Sequence, residues 1–211
     1  MTNNLRASYD TVAGEYRRRI AGELDGKPFD RAILARFARR AGADGPVWEL
    51  GCGPAHVAAY LLQHGACAAG LDLSPNMLLE ARQLFPALSL ACADMNHLPA
   101  AAGALAGIAA MYSVIHTPAG QLTTLFHEFL RVLRPGAPLL VSFHIGSQPL
   151  HLTDWWDLPV NLDFHFFTGQ QINDSLRAAG FTLEEYHERA PYPGVEHPSR
   201  RGYVIASRPG G

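Results

Sequence analysis

A short apolar run, Val47-Trp48-Glu49-Leu50, feeds directly into Gly51-Cys52-Gly53-Pro54-Ala55-His56 and then into a helical pattern. Two glycines with one residue between them let the main chain turn tightly and approach a ligand closely, because neither carries a Cβ. A strand that empties into such a turn presents bare backbone at its tip. Acidic Glu49 stands just before the turn, and Asp72 ends the next apolar run, Cys67 to Leu71. An acid at the tip of a second strand suits the two hydroxyls of a ribose, so the pattern points to a nucleoside ligand.

The kind of nucleoside follows from what the turn lacks. A dinucleotide fingerprint places a third glycine three residues after the second, where the pyrophosphate meets the helix N-terminus. Here that position is His56, which disfavours a nicotinamide dinucleotide. No phosphate-loop Lys with Ser or Thr follows, which disfavours a nucleoside triphosphate. A nucleoside carrying an amino acid in place of phosphates needs a backbone turn for its ammonium and carboxylate and a nearby acid for its ribose. S-adenosylmethionine has that chemistry.

Periodicity alternates along the rest of the chain. Helical patterns over about 5–20 and 28–41 precede the first strand; a helix at 55–63, a strand at 66–71 and a helix at 75–84 follow. Ser74 then Pro75 reads as an N-cap and first helical residue. Further strands are expected at 88–92, 107–111 and 138–143, with a helix at 122–133 that the Pro135-Gly136 pair stops. This alternation implies an α/β fold with a parallel sheet and right-handed crossovers. A helix at 170–179 and two strands able to pair, 181–187 and 202–207, complete the chain. Residues 145–168 show no clear element and read as irregular.

At 211 residues, 48% hydrophobic and 17% charged, the chain can bury one substantial core, most simply as one domain. Its net charge of −2 offers no sheet of positive charge to a nucleic-acid backbone. Arg17-Arg18-Arg19, Arg36 with Arg39-Arg40, and Arg200-Arg201 read as solvated helix faces or helix-end charges. No signal-like or membrane-spanning apolar run is present, so a cytoplasmic protein without membrane association is expected. Three cysteines without a CxxC or paired spacing disfavour both disulfides and a metal site.

The ordered motifs resemble those of the class I S-adenosylmethionine-dependent methyltransferases, over about Ser8 to Ser207. Glu49 to Ala55 resembles their first motif and Leu71 to Leu78 their second; Ala93-Asp94-Met95 resembles the third, and Leu130 to Ala137 the helix end and turn before the fifth strand. Tyr9-Asp10-x-x-Ala13-x-x-Tyr16 is similar to the helix that many small-molecule members fold over the cofactor. The resemblance implies a Rossmann-like seven-stranded mixed sheet with helices on both faces and an antiparallel C-terminal hairpin. It divides the single domain into N-terminal lid helices (1–42), a cofactor-binding core (43–144), a substrate-side insertion (145–168), and a helix with the terminal hairpin (169–211). The cofactor assignments it implies are Glu49, Gly51 and Gly53 at the methionine end, Asp72 on ribose, and Leu73 and Met95 flanking adenine. Asp94 meets the adenine amino group, Met77 and Tyr112 line the pocket, and the Tyr16 hydroxyl reaches the methionine carboxylate.

The acceptor is left open. Relatives often end the fourth strand with Asp, Asn or paired His; this chain reads Met111-Tyr112-Ser113-Val114-Ile115-His116, and no Asn-Pro-Pro-Tyr-like signature for nucleobase or glutamine nitrogen is present. A small molecule methylated on O or N, by a monomer or homodimer without a metal, is the expectation. Nitrogen and carbon nucleophiles need mainly positioning, whereas a hydroxyl benefits from a base, for which histidine is the favoured residue. His116 and His144, near the ends of the fourth and fifth strands, and His165 in the insertion are the candidates, each with packing or capping as the alternative. The insertion's aromatics either close a substrate pocket or patch the core; Trp155, Trp156, Phe166 and His151 are its substrate candidates, with Tyr9 on the lid. Arg189 either binds a substrate carboxylate or pairs with Glu196 in its own loop. An enzyme of this fold that binds the cofactor without transferring methyl, and a nicotinamide-binding oxidoreductase, are the competing readings.

Overall fold

The computed structural model describes residues 2–210. Helix α1 (Thr2–Ile20) and helix α2 (Pro28–Ala41) come first. Proline sits in the first turn of α2, where its missing N–H is no loss, and Gly42 at φ 69° ends it by donating to the Ala38 carbonyl at 3.0 Å. Strand β1 (Pro46–Leu50) leads through the glycine turn into α3 (His56–Gln63), then β2 (Cys67–Asp72), α4 (Pro75–Leu84), β3 (Ser89–Cys92) and β4 (Gly107–Met111). The Ser74 hydroxyl caps α4 by accepting from the Met77 amide at 3.1 Å. Helix α5 (Leu122–Val132), β5 (Pro138–His144), the pair β6 (Leu150–Trp155) and β7 (Leu158–Phe164), α6 (Gly169–Ala178), β8 (Thr182–Arg189) and β9 (Arg201–Ser207) follow. A capping box, with Thr168 and Gln171 bonding each other's main chain, starts α6.

The main sheet runs β3-β2-β1-β4-β5-β9-β8. The first five strands are parallel, while β9 inserts antiparallel between β5 and β8. The seven-stranded mixed sheet and its antiparallel terminal pair are as expected. Because side chains alternate along a strand, β4 serves two layers: Ile108 and Ala110 meet α5 and α6 residues such as Phe126, Phe129 and Leu176, while Ala109 and Met111 meet Phe37 of α2 and Leu61 of α3.

Residues 145–168 depart from the irregular segment read from the sequence. Here β6 and β7 form a separate antiparallel hairpin joined by a two-residue turn, with Trp155 paired to Leu158. The turn residues Trp156 and Asp157 have φ of 59° and 63°. Such hairpin turns need positive φ at both central positions and usually recruit Asn-Gly or Asp-Gly. A tryptophan in that conformation is strained, and its ring is held by a stack on Trp155 at 4.5 Å and by the Arg19 guanidinium 5.3 Å from its centroid.

Candidate active site

A cavity opens over the C-terminal ends of β1, β2 and β4. Its floor is the glycine turn. Gly51 has φ +68°, and a Cβ there would lie 2.5 Å from the Ser113 Cβ, so only glycine lets the turn pass under the β4 end. Gly53, at φ +52°, is open apart from the Tyr16 ring, 3.5 Å from where its Cβ would be.

Asp72 ties the tips of β1 and β2 together. One carboxylate oxygen accepts from the Gly53 amide at 2.7 Å and the other from the Ser74 amide at 2.8 Å. Burial pushes its pKa up to about 6, against the pull of the amides. Each oxygen keeps lone-pair capacity for a second donor. Leu73, Met77, Asp94 and Met95 line the same cavity, and Asp94 accepts from the Asn96 amide at 2.9 Å. Asp72, Asp94, the two glycines and the apolar groups assigned from the sequence to one cofactor therefore share one chamber, while Glu49 lies outside its wall.

The roof comes from α1. Tyr9 and Tyr16 reach into the cavity, and Asp10 fastens the helix to the α4 N-terminus by accepting from the Ser74 hydroxyl at 2.6 Å and the Asn76 amide at 3.2 Å. Burial raises the pKa of both tyrosines, keeping them protonated donors. His116 also lines the wall. Its Nδ1 lies 2.9 Å from the Asp163 main-chain oxygen and its Nε2 2.7 Å from the Tyr9 hydroxyl. A carbonyl can only accept, so Nδ1 carries the proton and Tyr9 donates to Nε2. Burial lowers the His116 pKa to about 4, so the ring is neutral near pH 7.

A second, more polar cavity shares Tyr16, Gly51, Gly53, Met111 and Tyr112 with the first. Glu49 lines it, buried, with the Ala58 amide donating to it at 2.7 Å; burial pushes its pKa well up. His56 lines it too, with Nε2 3.3 Å from Glu23 and Nδ1 buried and unpartnered. Tyr112 stands between the chambers at φ 52°, an uncommon conformation for an aromatic residue. Its hydroxyl lies 2.7 Å from that of Tyr203, which donates to buried Asp30 at 3.0 Å. The sequence offered no signal for Glu23 and Asp30: their importance depends on partners supplied by distant segments.

The remaining candidates lie outside both walls. His144 packs against Tyr112 and Phe166, with Nδ1 2.8 Å from the Ser199 hydroxyl, and burial with the Arg201 charge brings its pKa down to about 3. His165 donates its amide to the Ile115 carbonyl at 2.7 Å and its ring stacks on Phe167. His151 is exposed and pairs with Asp163 at 2.8 Å. Trp155 packs edge-on against Tyr9 and Tyr16, and Trp156 against Tyr16, so the hairpin aromatics back α1 and do not line the cavity. Phe166 packs on His144 and His197. Arg189 is committed to Asp30 at 2.6 Å and to both oxygens of Glu196 at 2.6 and 2.8 Å, the loop pairing that was its alternative reading. Among the described residues no cluster of three or more His, Cys, Asp or Glu is placed to hold a metal, and no helix is long and apolar enough to cross a membrane.

Residues 47–136 match the family described as "Methyltransferase domain". The chain is 31% identical over 152 residues, 72% of its length, to the malonyl-[acyl-carrier protein] O-methyltransferase of Enterobacter lignolyticus (strain SCF1), and spans 58% of that relative. Among solved structures it is similar to the [4+2]-cyclase SpnF, with TM-score 0.77, 18% identity and coverage of 100% and 98% of the two chains. It is also similar to the Burkholderia thailandensis 1,6-didemethyltoxoflavin-N1-methyltransferase bound to its substrate and S-adenosylhomocysteine, with TM-score 0.75, 19% identity and coverage of 98% and 88%.

Proposed function

The chain belongs to the class I S-adenosylmethionine-dependent methyltransferases, and from that premise we propose that it methylates a small-molecule acceptor on oxygen or nitrogen. The observation that carries the reading is Asp72, bridging the Gly53 and Ser74 amides in the wall of the chamber floored by Gly51. S-adenosylmethionine supplies the methyl group and leaves as S-adenosylhomocysteine. The residues present fit it. Asp72 would accept from the ribose hydroxyls, Leu73, Met77 and Met95 would take the adenine, and Asp94 would meet its amino group. The second cavity, with Glu49 and the unpartnered Nδ1 of His56, receives the amino-acid end, with Tyr16 and Tyr112 at the junction.

The cofactor would supply a methyl carbon to a lone pair of the acceptor, its carbon–sulfur bond breaking with the electron pair left on sulfur. Methylation of an oxygen would leave it as an oxonium, whose proton is acidic enough even for an imidazole made weakly basic by burial, whereas a methylated amine would keep its proton until it meets water. The oxonium proton would pass to the Tyr9 oxygen while Tyr9 gives its own to Nε2 of His116, a relay consistent with the donor order deduced from the Asp163 carbonyl contact. Orientation in a closed chamber supplies most of the acceleration, on the order of 7–11 kcal/mol. The oxygen acceptor of the Enterobacter relative supports a heteroatom target over carbon.

Calorimetric titration with S-adenosylmethionine, S-adenosylhomocysteine and 5′-methylthioadenosine tests the reading. Binding of the first two on the order of micromolar, with weaker binding of the third because it lacks the amino-acid end, is the expected result. No binding of any of them to folded protein would overturn it. Acceptors are then screened by S-adenosylhomocysteine release, and a product formed without that release would mark non-methylating chemistry on the same cofactor.

A further inference from the structure

Strand β7 contributes no residue to either cavity wall, yet it holds both ends of the Tyr9–His116 hydrogen bond. Opposite β6, where Leu162, Asp163 and Phe164 face Leu152, His151 and Leu150, every second residue of an antiparallel strand turns its main-chain groups outward, and the bonds made by Asn161, Asp163 and His165 mark that outer edge. That edge is not left open. At Asn161 the main chain bonds buried Ser8 of α1 both ways: the Asn161 amide donates to the Ser8 hydroxyl at 2.8 Å, and that hydroxyl donates to the Asn161 carbonyl at 3.4 Å. Two residues on, the Asp163 carbonyl accepts from Nδ1 of His116. Two further on, the His165 amide donates to the carbonyl of Ile115, the residue before His116. Phe164 packs on the His116 ring at 4.9 Å, and Trp155 packs on both lid tyrosines.

A neutral imidazole has one N–H, and the partner of one nitrogen decides the state of the other. The Asp163 carbonyl offers only acceptance, so its presence forces the proton onto Nδ1 and leaves a bare lone pair on Nε2, the nitrogen facing Tyr9 and the chamber. Without that carbonyl neither tautomer is imposed from the hairpin side. We propose that the β6–β7 hairpin sets the proton-accepting tautomer of His116, with the Asp163 main-chain carbonyl as the positioning group and Ser8 and Trp155 as the residues that seat it. The chamber's proton acceptor is then complete only while the hairpin is docked on α1. This rests on the reading of His116 as the proton acceptor, but its test needs neither cofactor nor acceptor.

The test uses the full chain with 15N-labelled histidine and spectra that report which ring nitrogen is protonated, with the His116 signal identified by its loss in His116→Gln. The wild-type ring is expected as a single tautomer with Nδ1 protonated. Tyr9→Phe removes the other partner and should leave that tautomer unchanged. Ser8→Ala combined with Trp155→Ala should convert it to a mixture while thermal melts show a folded protein. A wild-type ring protonated on Nε2 overturns the proposal. So does a tautomer lost in Tyr9→Phe, or one unmoved in the folded double variant. If the double variant fails to fold, the two single variants are read by the same criterion. Failure of the methyltransferase reading would show instead in the cofactor titration, with these spectra unchanged.

Discussion

Gly51 and Tyr9 line the same cavity, but different forces fix them in place. Gly51 is set by local covalent geometry: a strand end, a positive φ, and a Ser113 Cβ that leaves no room for a side chain. Tyr9 is set by contacts from far along the chain, with His116 at its hydroxyl and Trp155 at its ring. The floor is thus a backbone construction with no room for a side chain at Gly51, and the roof a side-chain construction in which several groups share each task. A floor of that kind can be rigid before any ligand arrives, whereas a roof of that kind can part and reseal.

Four measurements probe this contrast, beginning with the largest effect. Gly51→Ala places a Cβ against Ser113 in a left-handed conformation and should cost about 2–5 kcal/mol in denaturant unfolding and abolish S-adenosylmethionine binding. A variant within experimental error of wild type would dissolve the distinction between floor and roof. On the proposed reading of Asp72 as the ribose acceptor, Asp72→Asn should weaken cofactor affinity roughly 10- to 100-fold in calorimetry. Because the Asp72 pKa is about 6 and the ionised form is the better acceptor, wild-type affinity should fall as pH drops through 6, by about tenfold at pH 5, and the Asn variant should lose this dependence. Tyr9→Phe removes one shared hydrogen bond and should lower unfolding free energy by about 0.5–1.5 kcal/mol, with the cofactor still bound. His151→Ala breaks an ion pair whose partners are both more than half exposed, and should change stability by less than about 0.5 kcal/mol and binding not at all.

The same contrast explains what was legible in the sequence. The parallel core announced itself because its signals are local: apolar runs, the Ser74-Pro75 helix start, the glycine turn, and Asp72 at a strand tip. Most element bounds fall within two residues of the periodicity, and α1 begins three residues early. The cofactor candidates Gly51, Gly53, Asp72, Leu73, Met77, Asp94 and Met95 gather in one chamber for the same reason. The β6–β7 hairpin was hidden despite the alternation of Leu158, Val160, Leu162 and Phe164. Pro159 interrupts the pattern, and the turn uses Trp156-Asp157 where glycine is the usual signal. Arg189 could not be resolved from spacing alone, since one of its partners, Asp30, lies 159 residues away. Trp155 and Trp156 stand one layer out from the cavity, against Tyr9 and Tyr16: aromatic residues in an insertion signal an enclosed site, but the sequence does not say whether they face its interior or back its wall.

Strand β9 enters the sheet between two neighbours, β5 and β8, and is the last strand in the chain. Residues 189–203 also supply the Arg189 and Tyr203 groups that compensate the Asp30 carboxylate buried in α2. During synthesis, α2 and β5 emerge well before those partners. A nascent chain therefore carries an open β5 edge and an acid that cannot be buried at low cost, and neither is resolved until the final segment arrives. Long-range closures of this kind slow folding and lengthen exposure to misassociation. Burial of Asp30 and closure of the β5 edge both wait on residues 189–207, which come late in the order of synthesis relative to α2 and β5.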